Sequence, residues 1–66
     1  MLTNLVKIVY KAYGIIGALK DDTGVILEGT LENGLGGQLA DYVRIRVNHG
    51  GVEREGLVSR YVLRRL

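Results

Sequence analysis

The sequence predicts a small all-β domain of five short strands, bent by glycines and ended by a single turn. Three observations carry that expectation. Val43, Ile45 and Val47 alternate with Tyr42, Arg44, Arg46 and Asn48, the period-two pattern of a strand with one buried face. The apolar residues are almost all Val, Leu and Ile, with no Trp or Phe and Tyr as the only aromatic, which suits strands. Ten glycines and no proline in 66 residues fit short strands joined by tight turns.

The elements follow in order. Residues 4–13 read two ways. Asn4, Lys7 and Lys11 share a helical stripe that Gly14 would close, whereas Val6, Ile8, Tyr10 and Ala12 make one apolar face of a strand. The β-branched content favours the strand, and a short N-terminal helix stays open. Lys20-Asp21-Asp22-Thr23-Gly24 is a turn. Val25–Leu31 is a strand with Val25, Leu27 and Gly29 on one side and Ile26, Glu28 and Thr30 on the other. Gly29 within it predicts a bulge or sharp bend. Residues 32–38, with Gly34, Gly36 and Gly37, read as a flexible loop.

Tyr42–Val47 and Val52–Val58 form a hairpin across Asn48-His49-Gly50-Gly51. A four-residue loop sets Val47 opposite Val52, Arg46 opposite Glu53 and Arg44 opposite Glu55, with a bulge near Glu55-Gly56. Nothing repeats internally and no linker divides the chain, so residues 1–66 read as one domain.

Gly56-Leu57-Val58-Ser59-Arg60-Tyr61-Val62, followed by Leu66, resembles the close of a Src-homology-3-type barrel. The resemblance implies a small five-stranded Src-homology-3-like barrel with a one-turn 3₁₀ helix before its last strand. Asp22-Thr23-Gly24-Val25-Ile26-Leu27-Glu28 is similar to the glycine-led second strand of bacterial members. The signalling domains of that type hold polyproline with Trp and Pro, both missing here, so that activity does not carry over. Leu19-Lys20-Asp21-Asp22-Thr23-Gly24 leading to Glu28-Gly29-Thr30-Leu31 also looks like the first motif of Sm-like RNA-binding proteins. Those assemble into rings and begin with a helix.

Charge is uneven along the chain. Residues 1–40 carry a net charge of −1, and residues 41–66, which hold all six arginines, carry +3. Arginine suits phosphate forks and charges near interfaces, so an anionic partner is expected. Arg44 and Arg46 have a second reading as cross-strand ion pairs. Arg60, Arg64 and Arg65 have no acid near them in sequence and flank Tyr61, which offers a base a stacking surface. Arg44, Arg46, Arg60, Tyr61, Arg64 and Arg65 are therefore the candidate nucleic-acid-binding residues. The alternative is that Tyr61 belongs to the core and the arginines to a solvated terminal strand.

The chemistry of an enzyme is hard to assemble from this chain. One His and no Cys exclude the usual zinc spacings and a cysteine nucleophile. Ser59, His49 and Asp41 can be written as a set, but nothing in their spacing supports one. Residues 34–37 lack the Lys-Ser/Thr ending of a phosphate loop. No catalytic residue, metal or cofactor is expected. No run approaches the ~18 apolar residues of a membrane span, and no secretory signal is evident, so a soluble cytoplasmic protein is expected.

Two functions remain. One is an oligomeric, non-enzymatic module that binds nucleic acid through its C-terminal arginines. The other is a protein-interaction or assembly module with no nucleic-acid role. Self-association fits both, because so short a chain buries little apolar surface alone.

Overall fold

The structure is a computed structural model that describes residues 4–12 and 14–66. It is all-β. The strands are β1 (Leu5–Ile8), β2 (Thr23–Glu28), β3 (Tyr42–His49), β4 (Val52–Ser59) and β5 (Leu63–Arg65), joined by two one-turn 3₁₀ helices at Gly37–Leu39 and Arg60–Val62. They form one antiparallel sheet in the order β4-β3-β2-β1-β5. Among the described residues no pairing joins β4 to β5, so the sheet has two edges rather than a closed ring of hydrogen bonds.

The N-terminal ambiguity resolves as a strand. Val6 and Ile8 are fully buried, and the helical stripe of Asn4, Lys7 and Lys11 is not used. The strand stops early: the Ile8 N–H donates to the Asp22 carbonyl, and the Val9 N–H turns to Val62. Tyr10 is consequently 66% exposed rather than on the predicted apolar face, while Ala12 is buried. Tyr13 lies outside the described residues.

One core cluster takes a side chain from every strand: Val6 and Ile8, Ile26, Val43, Ile45 and Val47, Val58, and Leu63. Both edge strands thus contribute to one core. Ala12, Ile15 and Ala18, from the segment between β1 and β2, complete the cluster. That segment passes close to β4, since a Cβ on Gly14 would stand 1.8 Å from the Leu57 carbonyl oxygen. Only glycine lets the two backbones meet there.

The predicted hairpin register and the place of its bulge are corrected. The β3–β4 connection is a two-residue turn, Gly50-Gly51, with φ of 61° and 83°, as a hairpin matched to strand twist requires. His49 and Asn48 therefore belong to the strand. Arg46 faces Glu55, Arg44 faces Leu57 and Asn48 faces Glu53, a shift of two residues that keeps every side chain on its predicted face. The pairing runs unbroken, without the bulge predicted near Gly56.

The register shift lies instead in β2, between Ile26 and Glu28. It leaves Leu27 and Glu28 both exposed and brings Glu28 opposite Arg44, so Glu28 does not share the side of Ile26. Gly29, at φ 85°, ends the strand. Residues 32–38 are hydrogen-bonded rather than a loose loop. Thr30 and Gly34 form a bridge, the Leu35 N–H donates to the Tyr42 carbonyl, and the 3₁₀ turn follows.

Candidate binding face

The outward side of the sheet is set by strand alternation. Val43, Ile45 and Val47 point inward, so Tyr42, Arg44, Arg46 and Asn48 point out. Val25 and Leu5 continue the Arg46 row across β2 and β1, and the Leu66 N–H, donating to the Leu5 carbonyl at 3.1 Å, places Leu66 beside them. Leu66, Leu5, Val25 and Leu27 are all exposed, and they give this face an aliphatic centre. Charges surround it. Arg46 donates from Nε to Glu55 Oε1 at 2.8 Å, and its terminal nitrogen lies 2.6 Å from the same oxygen. Arg44 Nε stands 3.6 Å from Glu28 Oε2. The hydrogen bond to Glu55, reinforced by its charge, raises the Arg46 pKa further above its already high ordinary value. Arg46 stays cationic at any working pH.

Arg64 reaches the same face at its β5 end, opposite Lys7. Lys7 lies 3.8 Å from Asp21, whereas Arg64 has no ion pair among the described residues.

Arg60, Tyr61 and Arg65 gather elsewhere, around the second 3₁₀ turn. Ser59 starts that turn by accepting a hydrogen bond from the Tyr61 N–H at 3.3 Å, a capping role. Arg60 is held on several sides. It donates to the Glu32 carbonyl and to the Tyr61 hydroxyl at 2.9 Å, and it approaches Asp41 at 3.5 Å. Its guanidinium lies 4.9 Å from the centre of the Tyr61 ring, within cation–π range. Arg65 donates to Glu32 Oε1 at 2.9 Å. Tyr61 is 65% exposed, so it is not core.

The six predicted site residues thus divide between the outer sheet face and the second 3₁₀ turn. Four of the chain's six arginines, Arg44, Arg46, Arg60 and Arg65, stand beside a carboxylate. Sequence reasoning missed Glu28, Glu32 and Asp41 as their partners. These acids lie 16 to 33 residues away, and no local signal links them.

A further pair was not foreseen. His49 Nδ1 lies 3.0 Å from Asp22 Oδ1, while Asp22 Oδ2 accepts from the Leu19 N–H at 2.8 Å. The backbone hydrogen bond holds the Asp22 carboxyl below its ordinary range, His49 adds to that, and desolvation opposes it.

Ser59 and His49 sit at opposite ends of the β3–β4 hairpin, about 23 Å apart at strand spacing, so with Asp41 they make no nucleophilic set. Among the described residues no cluster of His, Asp and Glu could hold a metal ion. Among the described residues no helix is long and apolar enough to cross a membrane. The chain matches no family model, no curated protein and no solved structure.

Proposed function

We propose that this chain is a non-enzymatic protein-interaction module that assembles with copies of itself through the outer face of its sheet. One observation carries the reading. Among the described residues eleven apolar side chains are buried and eleven large apolar or tyrosine side chains are exposed, so the surface holds as many as the core. A domain this small, with no disulfide, gains what its core lacks by covering such a face. The outer face has the matching anatomy, with Leu5, Val25, Leu27 and Leu66 at its centre and paired charges at its rim.

Kinship with Src-homology-3-type barrels belongs to the same reading. A 3₁₀ turn between the last two strands and the pairing of β5 with β1 support it. The Sm-like comparison called for an N-terminal helix, where Leu5–Ile8 is a strand.

Light scattering tests the assembly. Wild type is expected to give a mass above one chain at ~100 μM, and Val25→Asp, a change at an exposed outer-face position, is expected to give one chain with its strand spectrum retained. A monomeric wild type, or a variant of unchanged mass, rejects the reading.

A second reading keeps nucleic acid as the partner, favoured by the exposed Tyr61 ring beside Arg60. There a base stacks on Tyr61 while Arg60, Arg64 and Arg65 meet phosphate, and Arg44 and Arg46 extend the contact. The carboxylates beside four of these arginines must be displaced first, which is why this reading stands second.

A further inference from the structure

β4 is an edge strand, and half of its backbone polar groups turn away from the sheet. In an antiparallel pair, alternate residues exchange both hydrogen bonds with the neighbouring strand while the residues between turn their N–H and C=O outward. The Arg60 N–H donates to the Asp41 carbonyl at 2.9 Å, which fixes the parity of the β3–β4 ladder. Val52, Arg54, Gly56 and Val58 bond to β3, and Glu53, Glu55 and Leu57 turn outward. Gly14 lies against the Leu57 carbonyl and covers that end of the edge. Toward the hairpin tip Ile15 and Ile16 line an open groove with Glu53, Arg54 and Glu55. Val52 to Glu55 are all exposed, and among the described residues no partner meets the outward backbone groups of Glu53 or Glu55.

Charge selects the occupant. Two copies pairing this edge about a two-fold axis must match outward-turned residues with each other. That sets Glu53 of one copy against Glu55 of the other, or either residue against itself. Each such register opposes carboxylates, a device that keeps edges apart. A strand with a cation at those positions meets the reverse situation. Glu53 has no ion pair among the described residues, and both contacts of Arg46 with Glu55 fall on Oε1, leaving Oε2 open. The residue between them faces Arg54, where an apolar or acidic side chain fits.

We propose that the Val52–Glu55 edge accepts an extended peptide segment of another protein by strand addition, with Lys or Arg at two alternate positions opposite Glu53 and Glu55. This edge borders the outer face, whose rim includes Glu55, but strand addition uses the backbone groups of β4 and not Leu5, Val25, Leu27 and Leu66, so neither reading depends on the other.

The test is amide hydrogen exchange by NMR on the full chain at low salt, titrated with the peptide acetyl-Thr-Lys-Val-Lys-Thr-amide. At saturation the Glu53 and Glu55 amides are expected to slow by about ten-fold or more, while those of Val52 and Arg54, already bonded to β3, change little. Glu53→Lys is expected to weaken binding about five-fold or more, and the peptide with Glu in place of Lys is expected to give no protection. The proposal is overturned by absence of protection at millimolar peptide, or by equal binding of the Glu-containing peptide. Ion-pair shifts without amide protection overturn it too, as does protection that grows with protein concentration before any peptide is added.

Discussion

At the residue scale, two side-chain decisions carry weight out of proportion to their size. Gly14 has no left-handed φ, so its need for glycine is steric: a Cβ would stand 1.8 Å from the Leu57 carbonyl oxygen, backbone that has little room to shift. Gly37 is the reverse case, with φ 57° and nothing within 4 Å of an added Cβ. Gly14→Ala is therefore expected to cost about 2 kcal/mol or more by overpacking, whereas Gly37→Asn, a residue that tolerates this conformation, is expected to cost under about 0.5 kcal/mol. Urea unfolding of the two variants checks the contrast. Asp22 is the second case. Its folded pKa is depressed, so its charge contributes stability above the ordinary carboxylate range and loses it as pH falls through the folded value. Asp22→Asn keeps an acceptor for the Leu19 N–H and removes the charge. The variant is expected to be less stable than wild type at pH 7 and equal to it near pH 2, read from the urea midpoints at each pH. An equal gap at both pH values would show that the charge contributes nothing.

At the element scale, legibility follows from how strongly each strand separates its two faces. β3 is read directly, because Val43, Ile45 and Val47 are all but fully buried while their neighbours are exposed. A four-residue turn sets its partner two residues out of register. The side-chain period in β4 is disturbed by exposed Val52 and by Gly56, so only the turn could fix the pairing. The turn itself is two residues, since within it Gly50 and Gly51 alone take positive φ, and Asn48 Oδ1 accepts from the Gly51 N–H at 3.2 Å. Because the error was even, the assignment of faces survived it. β1 was ambiguous for a different reason: four residues give too little pattern to separate period two from period 3.6. The hairpin supplies its own prediction. Asn at the first central position adopts φ 61° readily and has fewer unfolded conformations than glycine, so Gly50→Asn is expected to stabilise the fold by a few tenths of a kcal/mol. Thermal melts compared with wild type check it, and a fall in midpoint would mean that the turn is not of the assumed type.

At the scale of the whole molecule, the arginine excess meant less than its sequence position suggested. The C-terminal segment carries +3, yet Glu28 and Glu32, which partner Arg44 and Arg65, come from the acidic N-terminal half. Of the arginines, only Arg54 and Arg64 lack an ion pair among the described residues. Folding thus mixes two regions of opposite sign, an outcome set by sheet order and invisible to a count along the chain. Salt separates the two functional readings. An assembly held by Leu5, Val25, Leu27 and Leu66 is expected to keep its mass from roughly 0.05 to 0.5 M salt, because apolar burial is little screened. Nucleic-acid binding through Arg44, Arg46, Arg60, Arg64 and Arg65 would weaken steeply, with a logarithmic slope near −0.7 per phosphate contact on single strands. Since most of these arginines are already neutralised, any RNA binding is expected to show a slope no steeper than about −2. Fluorescence titration of a short RNA across that salt range reads it directly. A slope near −4, abolished by Arg60→Ala with Arg65→Ala, would mean that phosphate displaces Asp41 and Glu32, and it would move nucleic acid ahead of self-assembly.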